Sequence, residues 1–209
     1  MTGLESSIPP APPRYAAVVL AGGAARRMGG ADKPALPVGG RPMLDRVLAA
    51  VADADPRIVV GPAGDLPAGT LTTREQPSGG GPVAALAAGL TLLPTGVVAL
   101  LAADLPLLTP DAVRRLRTAL VRAAEADGVV YVDEDGRGQF LCGVWRVAPL
   151  RAALTRLAAG RDGVLTGTSM RALVAELTVG TVGWRGTGPP PWFDCDTEDD
   201  VRRAEEWIR

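Results

Sequence analysis

The chain of 209 residues contains no histidine. Ser-His-Asp chemistry, histidine general bases and histidine-ligated zinc are therefore excluded. Cysteine is scarce: Cys142 and Cys195 lie far apart, and no Cys-x-x-Cys pair occurs. Two thiols build no disulfide framework, and a reducing cytoplasm is the expected compartment. Aromatic residues make up only 4% of the chain, so the apolar mass is mainly Ala, Val and Leu, small side chains that suit close helix-on-sheet packing. Neither sign of charge dominates: 22 basic and 23 acidic residues give a formal net charge of −1. That argues against a global grip on nucleic acid or an anionic membrane, and leaves room for a local basic cleft. No apolar run reaches the roughly 20 residues a membrane helix needs. Residues 1–14 are rich in Pro and Ser and lack the charged start and apolar stretch of a secretory signal. They are expected to form a disordered leader ahead of a single domain over 15–209.

At 47% hydrophobic and 22% charged, the chain can build a real core. Strand-like and helix-like patterns alternate along it. Tyr15 to Ala21 is a continuous apolar run, as in a strand buried on both faces. Leu44, Val47, Leu48 and Val51 then recur at helical spacing. Strands are predicted at 57–60, 70–73, 97–103, 129–132, 140–147 and 178–184. Helices are predicted from Pro82, from Pro110 with Thr109 as cap, near 148–158, near 167–177, and from Thr197 with a capping-box-like Asp200. The βαβα order of the first half predicts an α/β fold: a doubly wound, mostly parallel sheet with helices on both faces. In such sheets ligands sit beyond the carboxyl ends of the strands.

Three features at such ends carry the chemistry. The first strand runs from Val18 straight into Leu20-Ala21-Gly22-Gly23-Ala24-Ala25-Arg26-Arg27-Met28-Gly29-Gly30-Ala31-Asp32-Lys33. Glycines allow close backbone approach, and exposed N–H groups with Arg27 and Lys33 suit a polyphosphate. The spacing is neither Gly-x-Gly-x-x-Gly nor the P-loop, since no Gly-Lys-Ser/Thr follows. A tight turn with solvated basic residues is the bland alternative, and Arg27, Gly29 and Lys33 together outweigh it. Second, the apolar run 97–103 ends in Asp104-Leu105-Pro106. A carboxylate there suits a hard cation such as Mg²⁺ shared with phosphate oxygens; the alternative is a turn-forming Asp. Third, in Asp194-Cys195-Asp196, extended backbone would turn both acids to one side. Asp196 either completes a cation site with Asp104 or belongs to an acidic helix entry. A further loop, Gly79-Gly80-Gly81-Pro82, can lie against a base or ribose, with Arg74 and Glu75 as polar neighbours.

Taken together, these segments resemble the small nucleotidyltransferases of molybdenum-cofactor maturation, the MobA-like molybdenum cofactor guanylyltransferases. That family opens with Leu-Ala-Gly-Gly, Arg-Met-Gly-Gly and Asp-Lys, here Leu20 to Gly23, Arg27 to Gly30 and Asp32-Lys33. Leu36 to Leu44, Gly81 to Leu86, Ala103 to Pro106, Gln139 to Leu141, Ser169 to Arg171 and Asp194 to Asp199 are similar to later family segments. Phe140 stands where the family commonly has Pro, aspartates replace its asparagines near the C-terminus, and Gly61 stands where a base-contacting Asn is often found.

The resemblance implies a Rossmann-like nucleotidyltransferase fold and transfer of GMP from GTP to the molybdopterin cofactor, with release of pyrophosphate. It implies Arg27, Lys33 and Asp104 as catalytic residues. Leu20, Ala21, Gly22, Gly23, Arg27, Lys33, Gly61, Arg74, Gly81 and Asp104 would line the nucleotide, and Asp104 and Asp196 would hold Mg²⁺. Implied partners are GTP and the molybdopterin cofactor as substrates, with a molybdoenzyme or cofactor-delivery protein beyond them, and neither nucleic acid nor membrane. A cytidylyl or sugar-phosphate transferase is the rival enzyme, and a catalytically silent cofactor-binding partner the rival of another class. Gly22 bears on the base, because cytidylyl relatives carry Leu-Ala-Ala-Gly.

Overall fold

A computed structural model describes residues 13–22, 33–62, 64–94 and 96–209. The strands are β1 (Tyr15–Leu20), β2 (Pro37–Val38), β3 (Arg41–Pro42), β4 (Arg57–Val60), β5 (Thr70–Thr73), β6 (Val97–Ala102), β7 (Gly128–Val132), β8 (Gly138–Arg146) and β9 (Val179–Gly183). The helices are α1 (Met43–Ala50), α2 (Pro82–Leu90), α3 (Pro110–Arg122), α4 (Val147–Ala159), α5 (Met170–Val174) and α6 (Glu198–Ile208), and a short 3₁₀ turn covers Lys33–Ala35.

Seven strands form one sheet in the order β5-β4-β1-β6-β8-β7-β9. β1 runs parallel to both β4 and β6, and β4 parallel to β5. β8 runs against its neighbours β6 and β7. The hairpin between β7 and β8 dictates that reversal. Asp133 Oδ1 accepts from the N–H groups of Asp135 and Arg137 at 3.1 and 2.8 Å, closing a tight turn that can join only antiparallel strands.

The apolar run in β1 reads as it does because both its faces are covered. Ala17 and Val19 pack toward α1 and α3, while Ala16, Val18 and Leu20 pack toward α2 and α4. β6 alternates in the same way, with Ala99 and Leu101 on one side and Val98 and Leu100 on the other. Each buried Val or Leu contributes about 1.5–3 kcal/mol, so β1 and β6 are firmly fastened into the core.

Helix starts follow their caps. Thr109 accepts from Ala112 N–H at 3.2 Å ahead of α3. Thr197 and Asp200 form the reciprocal capping box of α6. The helix expected near 167–177 is shorter: Ser169 caps at 3.2 Å, α5 spans five residues, and turn-like hydrogen bonds continue to Leu177. The strand expected at 140–147 begins earlier, at Gly138, and ends at Arg146. The small β2–β3 ladder was not foreseen; at two residues per strand it is too short to leave a periodic signal.

A third apolar cluster bears on function. Val38, Met43, Leu107, Cys195 and Ala204 are buried together, with Leu36, Phe193 and Val201 against them. It fastens the segment before α6 to the loop beyond β6.

Candidate active site

The carboxyl ends of β1, β4, β5 and β6 are joined edge to edge by backbone hydrogen bonds. Ala21 N–H donates to Val60 O at 2.8 Å, Gly61 N–H to Thr73 O at 3.0 Å, and Ala103 N–H to Leu20 O at 3.0 Å. Four of the sequence-predicted segments therefore meet on one rim: Leu20-Ala21-Gly22, Gly61, Arg74 and Asp104.

Gly61 has a structural reason to be glycine. Its φ is +126°, and a Cβ there would lie 2.8 Å from Gly22 N and 2.9 Å from the Ala21 carbonyl carbon. The residue supplies no side chain to a base; it lets β4 seat directly against the backbone that follows β1. Gly81, with φ +91°, is the N-cap of α2 and accepts from Ala85 N–H at 3.0 Å. The predicted residues Gly23 and Arg27 lie outside the described residues.

Arg74 and Glu75, both read from sequence as polar neighbours of the 79–82 loop, sit differently. Arg74 is exposed, whereas Glu75 is buried, its Oε1 accepting from Gly79 N–H at 2.9 Å. The same oxygen is 3.9 Å from where a Cβ on Gly22 would stand. Glu75 thus anchors the 79–81 loop and stands near the end of β1. An acid just after an edge strand reads as solvated, and the sequence holds no signal of this burial. A groove of about 400 Å³ opens alongside, lined by Arg74, Gln76, Ala84, Ala88 and Thr166 among others.

Among the described residues, the rim carries a three-residue charge cluster drawn from distant parts of the chain. Lys33 Nζ lies 2.6 Å from Asp104 Oδ2 and 2.7 Å from Asp196 Oδ1. Lys33 opens the 3₁₀ turn, Asp104 stands just beyond β6, and Asp196 just precedes α6. The buried Cys195 sets the geometry. Its side chain sits in the third apolar cluster and its N–H donates to Asp104 O at 3.2 Å, so Asp196 is held beside Asp104.

Partial burial lowers the affinity of the Lys33 amine for its proton, but hydrogen bonds and charge from Asp104 and Asp196 outweigh this and raise it above the usual lysine range. Asp194 is shifted upward, first by desolvation and then by the charges of Asp196 and Asp104. Among the described residues, Lys33 thus pairs with two carboxylates whose charge also bears on Asp194.

A mostly parallel sheet that gathers a covered lysine and paired carboxylates beyond its carboxyl ends, and has no histidine to offer, is the framework of a nucleotidyltransferase. A family model described as a MobA-like NTP transferase domain matches residues 17–177. Molybdenum cofactor guanylyltransferase of Rhodobacter capsulatus is 32% identical over 205 residues, covering 94% of this chain and 97% of that protein. The chain belongs to the MobA-like NTP transferase family. Among solved structures, molybdopterin-guanine dinucleotide biosynthesis protein A from Archaeoglobus fulgidus superposes with a TM-score of 0.70 at 19% identity, covering 91% and 97% of the two chains. The 2-C-methyl-D-erythritol 4-phosphate cytidylyltransferase of Thermus thermophilus gives 0.66 at 22% identity, covering 92% and 98%. The same fold therefore carries both guanylyl and cytidylyl names.

Proposed function

We propose that the protein transfers GMP from GTP to the terminal phosphate of the molybdopterin cofactor and releases pyrophosphate. The observation that carries this is the Lys33–Asp104–Asp196 cluster on the rim of a chain that aligns almost end to end with guanylyltransferases. An acceptor phosphate is ionised at neutral pH and attacks without a general base, which suits a chain without histidine. Catalysis is then positioning and neutralisation of charge. The backbone of Leu20, Ala21 and Gly22 lies along the nucleotide, with Gly61 supporting it from behind and Gly81 and Glu75 closing the base side. Lys33, with Arg27, supplies positive charge to the phosphates.

The donor set fits Mg²⁺. Asp104 and Asp196 are hard oxygen donors whose oxygens already converge on one cationic nitrogen. Among the described residues no group of three or more His, Cys, Asp or Glu could hold a metal ion by itself; the two carboxylates would need further ligands from outside the protein. Mg²⁺ is held in that way, by one or two carboxylates with substrate phosphates and water filling the remaining positions. When bound, it neutralises charge developing on the phosphates.

Residues 15–209 act as one nucleotidyltransferase domain, with GTP and the molybdopterin cofactor as substrates and a molybdoenzyme or cofactor-delivery protein as the recipient. Cys142 and Cys195 are free and buried, which suits work in a reducing cytoplasm; no helix among the described residues is long and apolar enough to cross a membrane.

Pyrophosphate release on mixing protein, GTP, Mg²⁺ and molybdenum cofactor tests the reading. Release that requires all three, and that Lys33→Ala lowers by orders of magnitude without unfolding the chain, is expected. Equal release with CTP would reassign the base, and no release with either nucleotide would leave a binding partner instead of an enzyme.

A further inference from the structure

Lys33 is asked to do two things that exclude each other. As a phosphate ligand its ammonium must face the nucleotide. In the structure it instead stands between Asp104 and Asp196, at 2.6 and 2.7 Å, with its side chain only 18% exposed. A Mg²⁺ ion bound by the same two oxygens needs them at about 2.0–2.1 Å. Ion and ammonium would then press two positive charges into one small space. One of them has to leave.

The side chain is built to be the one that leaves. The Lys33 backbone is fixed, its carbonyl accepting from Leu36 N–H at 3.1 Å in the 3₁₀ turn. A flexible four-carbon stem lets the head swing while that anchor stays still. The carboxylates do not have this freedom. Asp104 follows strand β6, whose inner residues are buried, and the Asp196 backbone is held by the buried Cys195 beside it and by its own N–H bond to Asp200 Oδ2 at 3.1 Å.

We propose that Lys33 is a built-in counter-cation, which holds Asp104 and Asp196 together until a triphosphate draws its ammonium away and opens that place to a divalent cation. The inference rests on the reading of Asp104 and Asp196 as the cation's ligands. Nucleotide and metal ion thus load together. The nucleotide accepts the lysine and frees the carboxylates; the metal ion, by holding the carboxylates, frees the lysine for phosphate. By linkage, each raises the affinity of the other by the same factor. A protein so arranged takes up little free metal ion, and the empty rim does not lose its shape to repulsion between two unbalanced acids.

Mn²⁺ binding, followed by electron paramagnetic resonance on nucleotide-free protein, tests this without any turnover. The parent protein is expected to bind Mn²⁺ weakly. Lys33→Met should bind it tighter by about tenfold or more, within the usual range of site–site coupling. Lys33→Arg keeps the charge and should stay weak. Adding a non-hydrolysable GTP analogue, whose phosphates also ligate the ion, should tighten Mn²⁺ in both proteins, by a clearly larger factor in the parent than in Lys33→Met. Circular dichroism checks each fold, and Lys33→Gln replaces the Met variant if that one unfolds. Equal Mn²⁺ affinity in the parent and Lys33→Met, with Asp104→Asn still abolishing Mn²⁺ binding in the presence of the analogue, overturns the exchange and leaves the ligand assignment standing. Tight Mn²⁺ binding that persists in the Lys33→Met, Asp104→Asn double variant overturns both.

Discussion

Replacing Gly61 by alanine asks whether the backbone after β1 is held in place for the nucleotide. Two costs arise at this position. The first is conformational: φ of +126° lies where residues with a Cβ are strained, and such strain costs about 1–3 kcal/mol. The second is steric: the new methyl would sit 2.8 Å from Gly22 N and 2.9 Å from the Ala21 carbonyl carbon, both backbone atoms that cannot rotate away. For a chain of this size each kcal/mol moves Tm by about 2–4 °C. Strain alone therefore lowers Tm by roughly 2–12 °C, and the clash displaces Ala21 and Gly22 as well. Gly40→Ala is the matched comparison, because φ there is +73° and none of the described residues lies within 4 Å of the added carbon. It carries the backbone cost without the clash. Thermal unfolding and titration with a fluorescent GTP analogue read the two variants. Both should lose stability, and only Gly61→Ala should also lose nucleotide affinity. An unchanged affinity in Gly61→Ala, or an equal loss in Gly40→Ala, would refute the idea that Gly61 sets the position of residues 21 and 22.

Asp104→Asn should abolish metal-dependent turnover, while Asp196→Asn, which restores the family's asparagine and keeps an oxygen donor, should do less; equal and mild effects in a pyrophosphate assay would put the cation elsewhere. Gly22→Ala should lower kcat/KM for GTP more than for CTP. Among the described residues its methyl meets only Glu75 Oε1, at 3.9 Å, so they accommodate it and the change reads on the ligand; a parent that prefers CTP would sink the guanylyl assignment. Burial pushes both the Cys142 and Cys195 thiols up to about 12. Their neutral forms are the ones the folded state favours, so this contribution to stability is present below the ordinary thiol range and is lost as pH rises through the shifted values. Iodoacetamide at pH 8 should label neither thiol until denaturant is added, and rapid labelling of the native protein would contradict the burial.

What could be read from the sequence was what local pattern controls. The continuous apolar runs of β1 and β6 betray strands covered on both faces, and Thr109-Pro110 and Thr197 mark helix starts through hydrogen bonds made within a single turn. Asp104 was legible because an acid directly after such a run has few places to go but the rim. Other features depend on tertiary contact and left no local trace. Glu75 looks like any acid in a polar loop until Gly79 and Gly22 are brought against it. Gly61 reads as a missing asparagine, and only the parallel pairing of β1 with β4 shows the close approach that requires it. Asp196 reads either as a ligand or as a helix entry from sequence alone, because the side chain it meets in space, Lys33, is 163 positions away.

The absence of histidine and the position of Lys33 belong to one argument about how the site works. A reaction whose nucleophile is already ionised needs no proton taken from it, so the protein contributes geometry and charge. Geometry comes from the paired strands β1 and β6, whose two buried faces fix the ends that carry Gly22 and Asp104. Charge has to be mobile, since phosphates arrive and pyrophosphate leaves with several negative charges each. A rim of fixed carboxylates alone would repel the incoming triphosphate, and a fixed cation alone would hold the departing pyrophosphate. A lysine that can pair with either the protein's carboxylates or the ligand's phosphates solves both problems with one side chain. An arginine would serve less well, because its planar fork settles into bidentate contacts that are slower to exchange than those of a compact ammonium. On this argument Lys33→Arg should retain phosphate binding but release pyrophosphate more slowly, giving a lower kcat at a similar or lower KM for GTP. A raised KM with kcat intact would mean that Lys33 serves only to bind substrate.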